Sequence, residues 1–275
     1  MHTQHGLRVR PPAVAGQFYP ADPVALEALL RESFAEARET PVHPVKAMIV
    51  PHAGLIYSGP VAASAYRMLL PQADRIRRVV LLGPSHRVGF SGIAATTADA
   101  WETPLGIIPI DKSAIGEIQA LPQVLPLDEA HRYEHSLEVQ LPFLQAVLGE
   151  FELVPLVVGE ATPQQVAEVL ERLWGGDETL IVISSDLSHY HPYDEARMID
   201  SATSQAILEL DPSRIGYDNA CGRNPVNGLL ELARRHGLRP ELVDLRNSGD
   251  TAGDKSRVVG YGAYVFSEAR SERLS

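Results

Sequence analysis

The chain has 275 residues, 45% apolar and 21% charged, a balance typical of globular proteins and long enough to bury a sizeable core. Lys and Arg number 24 against 35 Asp and Glu, a formal charge of −11, which argues against nucleic acid or an anionic membrane as the main partner because both demand a basic face. No run of about 18 apolar residues offers a membrane span, the N-terminus lacks the apolar stretch of a signal peptide, and a lone Cys221 excludes an internal disulfide framework.

A cytoplasmic location is therefore expected. No linker, repeat or low-complexity segment interrupts residues 1–275, which read as a single domain. Asp22-Pro23 has the form of a helix cap followed by proline at the first helical position and predicts a helix through about Glu36. Ala47–Val50 is the first strand. Gly59-Pro60 then opens a helix of small residues, Val61, Ala62, Ala63, Ala65, Tyr66 and Leu69. Val79–Leu82 is the second strand, and residues 92–110 alternate in a way that predicts edge strands or a hairpin around Trp101 and Thr103-Pro104-Leu105-Gly106.

Leu137–Leu148 follows as a helix despite Pro142, then Leu153–Val158 as a strand and Pro163–Trp174 as a helix. Leu180–Ser184 is the next strand and Asp194–Leu210 the next helix. Val226–His236 is a helix closed by Gly237, and Arg257–Phe266 completes the sheet as an edge strand. Strands alternating with helices predict an α/β fold, its central sheet mainly parallel and covered by helices on both faces.

Three apolar runs end in small polar turns that carry a histidine: His52, His86 and His189. In an open α/β sheet, ligands sit in the crevice outside the carboxyl ends of the strands, so three strand-end histidines point to a metal or acid–base site. Cys221 precedes Arg223-Asn224-Pro225, where Asn224 reads as a helix cap, so the helix dipole and the arginine favour its thiolate. Two imidazoles and a thiolate suit Fe, Cu or Zn better than Mg or Ca.

His131-Arg132-Tyr133-Glu134-His135 matches H-x-x-E-H, the inverted zinc-protease pattern, but prolines and acidic residues precede it. The segment reads instead as a loop entering a helix, with Glu134 and His135 aimed at the crevice. After the strand ending at Ser184, His189 is the candidate general base, with Asp186 orienting an imidazole or binding metal. His191 precedes Pro192, is held extended, and faces away. G-x-G-x-x-G and P-loop patterns are absent, so neither dinucleotide nor P-loop chemistry has support.

Seven ordered blocks, AGQFYP (15–20), VPHAGLIYSG (50–59), LLGPSH (81–86), WETPLG (101–106), EHSLEVQLPFL (134–144), SSDLSHY (184–190) and CGRNPV (221–226), resemble the Memo family, which includes component B of the AmmeMemoRadiSam system. The resemblance implies a fold like that of class III extradiol ring-cleaving dioxygenases and a metal held by His52, His86 and Cys221. A cysteine then stands where the dioxygenases have a carboxylate, which changes the metal's electronics in favour of copper. By the same resemblance His189 is the acid–base residue, and His135 and Asp186 line the cleft.

Three functions follow as expectations. The first is a metal-dependent, dioxygenase-like oxidoreductase using Fe(II), with copper or zinc as alternatives, and acting on a small substrate. The second is a non-catalytic metal carrier or scaffold working with a radical-SAM protein, a partner implied by the component-B name. The third is zinc-dependent hydrolysis through His131, Glu134 and His135.

Overall fold

The computed structural model describes residues 2–4, 6–41 and 43–268, with the side chains of residues 2–4 left aside. The chain starts with β1 (His2–Gln4) antiparallel to β2 (Leu7–Arg10). In α1 (Pro23–Ala35) the Asp22 carboxylate accepts from Ala25 N, as the cap signal predicts. Then come β3 (Ala47–Val50), α2 (Leu55–Tyr66), β4 (Arg78–Pro84) and β5 (Ile93–Ala95). A hairpin of β6 (Ala100–Thr103) and β7 (Gly106–Pro109) leads into α3 (Lys112–Ile118), β8 (Val124–Pro126), α4 (Asp128–Arg132) and α5 (Leu141–Leu148). The chain continues through β9 (Glu152–Val158), α6 (Pro163–Arg172), β10 (Thr179–Ser184), β11 (His189–His191) and α7 (Tyr193–Leu208). It ends with α8 (Arg223–His236), β12 (Arg239–Asn247), α9 (Ser248–Thr251) and β13 (Val258–Ser267).

The main sheet runs β11-β13-β3-β10-β4-β9-β5-β8, with β12 also paired to β13. Its centre, β3-β10-β4-β9, is parallel, while β13 on one side and β5 on the other join antiparallel. β3 and β10 are buried at every residue, which is why they read as unbroken apolar runs rather than alternating ones. A smaller sheet, β1-β2-β6-β7, uses the predicted hairpin.

The steps from β3 through α2 to β4 and from β4 through α5 to β9 run one way along the sheet, and the step through α6 to β10 runs back. Right-handed crossovers therefore place α2 and α5 on one face and α6 on the other. On the first face Tyr66 stacks on Phe143 with ring centres 5.0 Å apart and Phe34 of α1 meets Phe143 edge-on. On the second, Gly228 of α8 lies so close to Val166 of α6 that a side chain there would collide with it. Among the described residues no helix is long and apolar enough to cross a membrane.

Two elements differ from the sequence reading. The helix expected from Gly59-Pro60 begins at Leu55, with Gly54 at its cap and Pro60 inside it. Nearly all of α2 is buried, so tertiary packing outweighs the proline signal. The last strand is interior rather than an edge, because β12, half-buried and without an apolar run, pairs along its outer side.

A buried ion pair ties the N-terminal segment to the loop after α4. Arg10 Nη1 lies 2.6 Å from Glu138 Oε2, with side chains 3% and 0% exposed. Glu138 also accepts from Ala13 N, Val14 N and Tyr19 Oη, while Arg10 donates to the carbonyls of His131 and Glu134. Breaking a buried pair from one side leaves an uncompensated charge. Arg10→Ala is expected to lower unfolding free energy by about 3–5 kcal/mol in urea titrations, and a loss below about 1 kcal/mol would mean water already reaches Glu138.

Candidate metal centre

Three neighbouring strands deliver the site. The register aligns Ser184 of β10 with Val50 of β3, and Ile183 with Leu82 of β4, so their carboxyl ends are level. His52, Asp186 and His86 each stand two residues past the end of β3, β10 and β4. That is the crevice position expected of an open α/β sheet.

His52 is fixed by a chain of hydrogen bonds that also sets its tautomer. Gln140 Nε2 donates to Pro51 O and to Ser184 Oγ, which orients the amide so that its oxygen accepts from Tyr66 Oη. Ser184 spends its own proton on Ser136 O. Its oxygen can therefore only accept from His52 Nδ1, 2.9 Å away, and His52 Nε2 is left as a bare lone pair. Burial, and then the charge of His86, push His52 down to about 3, so the ring is neutral at physiological pH.

His86 is held by a carboxylate instead. Glu134 accepts from His86 N (2.6 Å), His86 Nδ1 (2.8 Å), His135 N (3.0 Å) and Ser136 N (2.9 Å). Burial raises the Glu134 carboxyl, but these bonds, those of His86 foremost, outweigh it and hold the group down to about 2. An ionised acceptor at Nδ1 leaves His86 Nε2 free. The loop carrying Glu134 approaches so near that a Cβ on Gly83 would sit 2.7 Å from Leu137 Cδ1 and 2.8 Å from Ser136 Oγ, so only glycine fits in the Gly83-Pro84-Ser85-His86 turn.

The same loop brings His135 into the group. The ring centre of His135 is 4.5 Å from that of His86 and 5.3 Å from that of His52, and Phe18 packs on it at 4.4 Å. Ligand nitrogens of His52, His86 and His135 all lie within 4.8 Å of one another. Burial and the charge of His52 hold His135 down to about 4, and its Nδ1 is buried without a hydrogen-bond partner. Three imidazoles converging at this spacing, one with an orphaned nitrogen, fit a bound cation.

Asp186 and Cys221 border this group. Asp186 Oδ1 accepts from His52 N at 2.7 Å and Oδ2 lies 4.0 Å from His52 Nε2. Burial raises the Asp186 carboxyl, partly offset by that backbone bond. Cys221 Sγ is 3.4 Å from His52 Nε2, beside the three-nitrogen set. It gets there because Gly222 N donates to Ser185 Oγ, at a distance where a Cβ on Gly222 would meet Ser185 Cβ at 2.7 Å.

α8 starts at Arg223 with Gly222 at its cap, so Asn224 lies in the first turn and caps nothing; its amide reaches Gly159 O instead. Nor does the helix end favour the thiolate here: burial, then the Asp186 charge, push the thiol well above its usual range. His189 donates from Nδ1 to Leu187 O at 2.8 Å, leaving Nε2 as a base. His191 turns to Glu195, with Nδ1 2.9 Å from Oε1.

His131 is not brought to the group. It is buried against Trp101, its Nε2 donating to Ala94 O, and the H-x-x-E-H segment breaks after α4 instead of running on as a helix. Its first histidine therefore belongs to the core. Sequence reasoning passed over Ser184, Gln140 and Tyr66 as functional residues. Their one signal was a polar amide inside an otherwise apolar helix start and a serine ending a buried strand.

A sequence profile described as "Memo-like protein" matches residues 10–265. A MEMO1 family protein of Ignicoccus hospitalis is 42% identical, covering 94% of this chain and 99% of its own. Another from Aquifex aeolicus is 40% identical over 94% and 100%, and one from Archaeoglobus fulgidus 38% identical over 94% and 99%. The crystal structure of an uncharacterized protein from Escherichia coli K12 shares the fold, with a TM-score of 0.52 at 12% identity, covering 80% of this chain and 99% of that one.

Burial, and then the Arg10 charge, hold His131 down to about 4 against its usual 6.5. The unfolded chain thus takes up this proton first. The stability gained by a neutral ring is complete above pH 6.5 and declines as the pH falls toward 4. Between pH 7 and pH 5 His131 alone is expected to cost on the order of 2 kcal/mol. His131→Phe should flatten that slope in urea titrations at the two pH values, and an unchanged slope would remove His131 from the account.

Proposed function

The chain belongs to the Memo family, and from that premise and the histidine cluster we propose that it is a metal-dependent oxidoreductase acting on a small organic substrate. The carrying observation is the set of three imidazole nitrogens within 4.8 Å of one another, two with lone pairs exposed by fixed hydrogen bonds on the far ring nitrogen. Such neutral nitrogen donors suit Fe(II), Cu or Zn over Mg or Ca, and Fe(II) is the ion we favour. Bound iron supplies a redox-active Lewis acid.

His52, His86 and His135 would hold the ion, and the Cys221 sulfur, adjacent to His52, is a further donor once its proton leaves. His189 takes and returns a proton at Nε2, its ring fixed by Leu187 O. Asp186 holds the His52 backbone and places a carboxylate beside the donors. Glu134 and the Ser184–Gln140 pair keep the rings aimed.

After purification without oxygen and reconstitution with Fe(II), metal analysis should give about one ion per chain, with loading lost in His52→Ala, His86→Ala and His135→Ala. Cys221→Ser separates a three-nitrogen site from a two-nitrogen, one-sulfur site. If His52→Ala and His135→Ala both load fully, the assignment fails. Gln140→Leu, which frees Ser184 to turn from His52, should weaken metal binding roughly 10–100-fold. Oxygen uptake over a panel of catechols and related aromatics, abolished by His189→Ala, would establish turnover. Stoichiometric metal without turnover would leave a carrier or scaffold, for which a radical-SAM protein is the partner to test.

A further inference from the structure

A second cluster lies at the opposite, amino-terminal end of the sheet. β12 and β13 pair antiparallel with Ser267 opposite Arg239, so Arg239, Glu241 and Ser267 share one face. The segment leading into β3 lays His43 over that face. Ser267 Oγ is 2.7 Å from His43 Nδ1, and His43 Nε2 is 2.7 Å from Glu241 Oε2. All three line a cavity of about 730 Å³, together with Lys46, Arg75 and Arg239.

The carboxylate decides the polarity of this chain. Glu241 only accepts, so Nε2 carries the ring proton and Nδ1 is left to accept from the Ser267 hydroxyl. Hydroxyl, imidazole and carboxylate thus stand in the order that activates a serine nucleophile, although the two ring nitrogens exchange the roles they have in the serine proteases. The His43 and Glu241 side chains are 26% and 42% exposed, so a substrate can reach them. Lys46 Nζ is spent on the carbonyls of Trp174, Gly176 and Thr179, whereas Arg239 has no ion-pair partner among the described residues.

We propose that Ser267, His43 and Glu241 form a second, hydrolytic centre that cleaves small carboxylic esters independently of the histidine cluster. Ser267 Oγ bonds to the ester carbonyl carbon as its proton passes to His43 Nδ1, where the Pro44 carbonyl, 3.4 Å away, can share it. Glu241 balances the imidazolium, and Arg239, beside Ser267 in the register, faces the developing oxyanion. The ester C–O bond then breaks and the leaving alkoxide takes the proton from Nδ1. Water attacks the acyl-serine, returns a proton through His43, and releases the carboxylic acid.

A fluorophosphonate probe on the full chain, read by intact and peptide mass, is expected to add once, at Ser267. Ser267→Ala should lose both the adduct and hydrolysis of p-nitrophenyl acetate. His43→Ala should slow both by roughly 100-fold or more, and Glu241→Gln by a smaller factor. Chelator treatment should leave the rates unchanged, which separates this centre from the metal reading. No adduct at Ser267, or equal labelling of wild type and His43→Ala, would overturn the proposal, the second result meaning an exposed serine without activation.

Discussion

A single buried carboxylate, Glu134, holds the loops of the histidine cluster in place by accepting four N–H groups, two from His86 and one each from His135 and Ser136. Hydrogen bonds to a charged group contribute about 1.5–3 kcal/mol each, enough together to offset the desolvation of one carboxylate. The loop after α4 has no regular structure of its own to carry this group. Arg10 supplies the frame by donating to the carbonyls of His131 and Glu134 while paired to Glu138. Phe18, on the same N-terminal segment, backs the ring of His135, and its carbonyl accepts from Leu55 N at the start of α2. A disturbance ten residues from the N-terminus therefore reaches the site through three hydrogen bonds.

The two strand-end histidines are aimed by different means. His52 gives its Nδ1 proton to a neutral hydroxyl in a network that also joins β10, α2 and Pro51 in the turn after β3. His86 gives its proton to an ionised carboxylate. A carboxylate partner makes the ring a stronger donor to a cation than a hydroxyl does. The site is thus asymmetric, with electron-rich His86 opposite a more rigid, fully buried His52.

The parallel centre of the sheet was legible because strands covered on both faces must be apolar throughout, as in residues 79–82 and 180–184. β12 was not, since one half-buried face gives it no run to see, and with β12 unseen the strand at 258–267 passed for an edge. His52, His86 and His189 could be placed because strand ends in such folds lead to one crevice. His135 was foreseen in the cleft, but not that its nitrogen joins the other two, because its position is set by contacts over a hundred residues distant in sequence. The prolines and acidic residues ahead of H-x-x-E-H argued against one continuous helix through it, and α4 ends at Arg132. Local pattern carried no information about Gly222 and Gly83 as close approaches until partners were known.

The sulfur at the edge of the cluster makes the strongest electrostatic case for a cation. A thiolate at Cys221 is opposed twice, by burial and by the Asp186 carboxylate. Asp186 is itself raised by burial and shares His52 with that sulfur. Two adjacent groups that each resist ionisation, facing neutral imidazoles that resist protonation, form a set with no internal compensation. An ion of charge +2 at the meeting point of the nitrogens would favour the ionised thiol and carboxyl and keep the imidazoles unprotonated. The four groups thus share one electrostatic property, that a positive charge among them would stabilise the form in which each donates.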